Sequence, residues 1–182
     1  MYLTRLGCPQ DWVLHGNSCY NVVDTPTVEW SDARTICQNL GGDLSIIRSQ
    51  NENNFTLELL KQQNTVTFYG AWLGLYRKRS AGDAFYWIDD TPLTGQFSAW
   101  ARGEPNQVQE KCVHMYAASD RIGKWNDKEC SLTDAEKSTA PVVLCQKRFM
   151  RSWGDHTSII RDGYFCMFYW HGCHKFSICD IT

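Results

Sequence analysis

Nine cysteines in 182 residues constrain this chain more than any other feature. Thiols at that density are unusual in a reducing compartment unless they hold metal, and the spacings contain none of the paired CxxC motifs of a zinc site. A disulfide-stapled domain in an oxidising, secreted or extracellular setting is the expectation. Nine is odd, so at least one thiol is spare or pairs with another chain.

Set among those cysteines is a second feature. Glu104, Asn106, Glu110, Asn126 and Asp127 fall within 24 positions, interleaved with Pro105 and bracketed by Cys112 and Cys130. Carboxylate and carboxamide oxygens are the ligands preferred by a hard cation such as calcium. An all-oxygen cluster closed by cysteines reads as a calcium site in a cross-linked loop. The net charge of −2 gives no field for a polyanion, and Arg77-Lys78-Arg79 is the one compact basic run. Such a run reads as a solvated loop and argues against nucleic acid.

Taken in order, Cys8 and Cys19 flank Trp12 closely enough for a small hairpin with its own bridge. Trp30, Ala33, Cys37 and Leu40 recur at helical spacing as one buried face, and Gly41-Gly42 stops that helix. Cys37 faces inward, so its partner is expected on a core strand. Ser49-Gln50-Asn51-Glu52 is a capping box for a second helix, with Phe55 and Leu59 inward. Asn54-Phe55-Thr56 is a glycosylation sequon, which a chance tripeptide would also produce. Beyond these two helices come short aromatic or β-branched segments, Trp72-Leu75, Phe85-Ile88, Val113-Tyr116 and Val142-Cys145, bounded by Gly, Asp and Pro. Asp89 to Glu110 between them is a long aperiodic stretch, and loops of that length are commonly functional.

Residues 149–182 differ in character, with Trp153, an aromatic run from Tyr164 to Trp170, and Cys166, Cys173 and Cys179. No helix or strand period covers this tail. His171, Cys173 and His174 match no common zinc spacing, and a local disulfide with a spare cysteine is the better reading. No signal-peptide pattern follows Met1, and no apolar run approaches the length of a membrane span.

The motifs together resemble a C-type lectin-like domain of the long form. The match rests on Cys8-Pro9, Trp12, Cys19-Tyr20, Trp30, Ala33, Cys37, Gly42-Asp43-Leu44, Glu52-Asn53, Trp72-Leu73-Gly74-Leu75, Glu104-Pro105-Asn106, Cys112, Trp125-Asn126-Asp127, Cys130 and Cys145, all in the family's order across residues 7–148. The resemblance implies an α+β fold, two helices flanking small antiparallel sheets with a long irregular loop for the ligand. It also implies the pairs Cys8–Cys19, Cys37–Cys145 and Cys112–Cys130.

By the same resemblance, Glu104, Asn106, Glu110, Asn126 and Asp127 hold one calcium ion that also binds sugar, with the Glu104–Pro105 bond cis. Two adjacent sugar hydroxyls would complete the ion's shell, Asn106 or Asn126 would donate to them, and Glu104 or Glu110 would accept. The order Glu-Pro-Asn accompanies mannose, N-acetylglucosamine and fucose in the family. An auxiliary calcium site is expected to be lost, because Arg77, Ala81 and Gln107 stand where its acidic ligands would be. Trp100 and Trp125 read as core. The expected partners are glycans or glycoproteins, with several copies needed for avidity. The rival reading is a lectin-like protein-binding domain whose calcium only orders the loop. No Ser/His/Asp or Cys/His arrangement suggests an enzyme.

Overall fold

Two short strands, β1 (Val13–His15) and β2 (Ser18–Val23), open the fold as a hairpin. In the computed structural model, residues 7–23, 25, 28–62, 70–118, 120–133 and 141–149 are described, all within one compact unit, Gly7–Met150. The tail from residue 150 onward, including Cys166, Cys173 and Cys179, lies outside the described residues.

Helix α1 (Trp30–Asn39) follows, and its end shows how the local sequence dictates a stop. Gly41 takes φ +75°, the left-handed conformation that an L side chain resists. The Gly41 amide donates to the Gln38 carbonyl and the Gly42 amide to the Cys37 carbonyl, the paired bonds of a Schellman cap. Ala33 and Cys37 are buried as expected, but Leu40 is 41% exposed. The correction has a simple cause: Leu40 is the C-cap residue, already off the helical period. A Cβ on Gly42 would sit 2.6 Å from the Gln146 carbonyl oxygen and 3.2 Å from Trp12. Backbone cannot yield there, so Gly42→Ala is expected to cost about 1–3 kcal/mol in urea unfolding. A loss under half a kcal/mol would show that the strand shifts freely.

After β3 (Asp43–Leu44) comes α2 (Gln50–Gln62). Ser49 Oγ accepts from the Glu52 amide at 3.1 Å, while the Glu52 carboxylate accepts from the Arg48 amide, one residue earlier than a standard capping box. Leu59 is buried and Phe55 half-buried, the latter stacked on His15 with centroids 4.1 Å apart. The remaining strands are β4 (Gly70–Lys78), β5 (Ala84–Trp87), β6 (Cys112–Tyr116), β7 (Trp125–Lys128) and β8 (Val142–Arg148), with a 3₁₀ turn at Arg79–Ala81.

The strands form one connected sheet in the order β1-β2-β8-β4-β6-β7, with β3 on β8 and β5 on β4. Two helices and antiparallel-rich strands match the expected fold, and the strands join into one sheet because β8 pairs antiparallel with β2 on one side and parallel with β4 on the other. Alternation along β4 supplies two cores at once. Ala71, Leu73 and Leu75 pack with Trp87, Val113, Met115 and Trp125, whereas Trp72 packs with Ala33, Cys37, Val143 and Cys145. The bridges are Cys8–Cys19, Cys37–Cys145 and Cys112–Cys130. Between β5 and β6 the chain from Asp89 to Lys111 carries no helix or strand, only isolated bridges at Pro92 and Trp100. No helix among the described residues is long and apolar enough to cross a membrane.

Candidate ligand site in the long loop

Trp125 anchors the site. It is fully buried, edge-on to Trp87, Phe97 and Trp100, so its role is packing. Its amide donates to the Ala99 carbonyl at 2.8 Å and its carbonyl accepts from the Ala101 amide at 2.9 Å, which pins the long loop onto β7. Its indole N–H donates to Asn53 Oδ1 at 2.8 Å, and Asn53 Nδ2 donates to the Gly123 carbonyl at 2.9 Å. A buried carboxamide satisfied at both ends thus ties α2 to the turn before β7.

The loop then turns at Gly103, the Glu104–Pro105 bond is cis, and the Glu104 amide donates to the Ala101 carbonyl. Asp127 is completely buried. Its Oδ1 accepts from the Asn106 amide at 3.3 Å and its Oδ2 from an Arg77 guanidinium nitrogen at 2.9 Å. The Glu104 side chain is 6% exposed, with Oε1 3.5 Å from Arg121, itself 46% exposed. Glu104 Oε2 is buried with no hydrogen-bond partner. The β6–β7 ladder sets Asn126 opposite His114. Asn126 Nδ2 donates to the Asp127 carbonyl at 2.6 Å and lies 3.4 Å from His114 Nε2. Burial, aided by the Lys128 charge, lowers the His114 pKa to about 3, so the ring is neutral at physiological pH and can accept from that amide.

Three carboxylates feel one another here. Burial, then the Asp127 charge, pushes the Glu104 carboxyl up, with Arg121 and an Asn106 hydrogen bond working against the rise. Burial, then Asp127 and Glu104, pushes Glu110 up. Among the described residues no group of three His, Cys, Asp or Glu side chains is drawn together closely enough to hold a metal as it stands. Two of the carboxylates, Asp127 and Glu104, lean on the guanidinium groups of Arg77 and Arg121. The donor set still fits a hard cation: it is all oxygen, crowded with negative charge, and one Glu104 oxygen is desolvated without compensation.

Sequence reasoning did not assign the supporting roles of four residues. Arg77 stood out only as a residue hostile to an auxiliary metal, and in the structure it bonds Asp127 directly. Arg121, His114 and Asn53 support Glu104, Asn126 and Trp125 respectively, through contacts 17, 12 and 72 positions apart that no local motif announces.

Solved structures with this fold define its class, the C-type lectin carbohydrate-recognition domain. The C-type lectin domain of murine dendritic cell inhibitory receptor 2, in complex with N-glycan, is 28% identical with TM-score 0.62, covering 78% of this chain and 99% of that one. The cow carbohydrate-recognition domain of CD23, in the presence of a GlcNAc2Man3 oligosaccharide, is 30% identical with TM-score 0.60, covering 79% and 97%. The chain belongs to the C-type lectin domain family, whose profile (Lectin C-type domain) matches residues 27–135. CD209 antigen-like protein 2 of Macaca mulatta is 35% identical over 126 residues, 68% of this chain and 45% of that protein. The chain therefore spans about half the length of such relatives. This is a family of glycan-binding domains, not of enzymes.

Proposed function

We propose that this domain binds mannose-type glycans, those presenting mannose, N-acetylglucosamine or fucose, in a calcium-dependent manner. In this reading Glu104, Asn106, Glu110, Asn126 and Asp127 hold the ion. The observation that carries it is the buried, unpartnered Glu104 oxygen within a trio of mutually repelling carboxylates. Bound there, calcium would supply coordination positions that two neighbouring sugar hydroxyls complete.

The chain's own groups supply the rest. Glu104 and Glu110 accept the hydroxyl protons, and Asn106 donates from an exposed position on the loop. Asn126 already donates to the Asp127 carbonyl and lies against His114, so engaging a hydroxyl exchanges the longer, 3.4 Å contact. The Glu-Pro-Asn order supports mannose-type over galactose-type sugars, and the GlcNAc2Man3 oligosaccharide present with the cow CD23 domain lends support to that reading. Three disulfides support an extracellular location. A monosaccharide contact is small and its affinity weak, so several copies would be needed for avidity.

A second reading, a protein-binding domain in which calcium only orders the loop, is favoured by the guanidinium partners that Asp127 and Glu104 already have. A glycan array run with calcium and again with chelator separates the two. The expected result is mannose-type binding that chelator abolishes and free mannose competes away. Galactose preferred over mannose would overturn the sugar assignment, and binding indifferent to chelator would overturn the calcium assignment.

A further inference from the structure

Arg77 closes the end of β4 against the loop in a way that the ligand set alone does not require. Its Nε donates to the Glu110 carbonyl at 3.0 Å, and one terminal nitrogen donates to the Gln107 carbonyl at 3.3 Å and to Asp127 Oδ2 at 2.9 Å. Its backbone amide donates to the Lys111 carbonyl at 2.8 Å. The guanidinium lies over the Phe85 ring, 4.4 Å from the centroid, and the side chain is only 14% exposed. Two loop carbonyls and a buried carboxylate from β7, two strands across the sheet, therefore converge on one fixed positive charge. A planar guanidinium holds several acceptors in a set geometry, which an ammonium cannot do.

We propose that the forked guanidinium of Arg77, and not its charge alone, orders the 106–111 segment in the absence of metal by gathering the Gln107 and Glu110 carbonyls and the Asp127 carboxylate. Without it, the Gln107 and Glu110 carbonyls and the Asp127 carboxylate would point at one another unneutralised, and the loop would open to hydrate them. Arg77 is thus a positioning residue: it holds Asp127 and sets the backbone from which Asn106 and Glu110 project. The loop-ordering step stands independently of the calcium reading. Only its consequence for sugar binding rests on that reading.

Hydrogen exchange of the whole chain in chelator tests it, comparing wild type with Arg77→Met and Arg77→Lys. The expected result is exchange roughly tenfold or more faster at the Asn106 and Glu110 amides in both variants, with α2 and β6 unchanged. Lysine keeps the charge beside Asp127 but loses the fork, so it should rescue little. If Arg77→Met fails to fold, Arg77→Lys decides. Loop protection equal to wild type in the lysine variant would overturn the proposal, as would exchange accelerated evenly across the domain. A loop in wild type that exchanges freely in chelator would overturn it too. None of these outcomes depends on whether the protein binds sugar.

Discussion

Replacing Cys37 and Cys145 together with alanine is expected to lower the unfolding free energy by about 4–5 kcal/mol, the largest stability effect in the molecule. The bridge closes a loop of 108 residues, against 18 for Cys112–Cys130 and 11 for Cys8–Cys19. Chain-entropy arguments make the long closure worth more than the short ones, which come to about 3 kcal/mol or less, although part of any such effect is enthalpic. Both cysteines are also fully buried, between α1 and the strand that joins β2 to β4. Losing this link therefore frees the strand on which the continuity of the sheet depends. Denaturant unfolding of the three paired-alanine variants checks the order. An equal loss for the Cys8–Cys19 pair would show that loop length does not govern the effect.

How much of this was legible in the sequence follows from the range of the interactions involved. The end of α1 could be read because a left-handed Gly41 and the cap bonds of Gly41 and Gly42 act within five residues. The candidate oxygen cluster could be proposed because its carboxylates and carboxamides lie within 24 positions of one another, and the structure brings Asn106 and Asp127 into contact. Leu40 was misplaced because helical period continues on paper past the point where the cap ends it. The continuity of the sheet was invisible for a different reason. It depends on Ala71 and Trp72 pairing with Val142 and Val143, about seventy positions away, through strands too short to signal their neighbours. Arg77 and Asp127, 50 positions apart, illustrate the same limit at the site. The sequence could say that a cation replaces an acidic side chain at position 77, but not which groups that cation would gather.

Glu110→Gln is expected to abolish calcium-dependent sugar binding while leaving the calcium-free domain as stable as wild type, or more so. The sign follows from the carboxyl group itself. Burial and the neighbouring Asp127 and Glu104 charges raise the Glu110 pKa in the fold above its unfolded value. At neutral pH its ionisation therefore works against folding, and that penalty disappears as pH falls through the raised folded value. Glutamine keeps the shape without the charge, so in chelator at pH 7 the variant should melt no lower than wild type. With calcium the balance reverses. On the calcium reading the ion would take the place of protons on these carboxylates, and removal of a proposed direct ligand should weaken calcium binding by at least the roughly 10–100-fold seen when outer-shell partners are lost. The calcium-induced rise in melting temperature should then vanish from Glu110→Gln. In wild type that rise should shrink on acidification, beginning above the usual carboxylate range, because Glu104 is raised by burial and by Asp127 as well. Glu104→Gln should behave alike, since its pairing with the half-exposed Arg121 contributes little. A Glu110→Gln variant that melts lower in chelator yet keeps its full calcium shift would mean that Glu110 supports the loop and not the ion. A residue whose charge destabilises the empty fold, and is tolerated only because a cation offsets it, is the physical signature that separates a ligand from a strut.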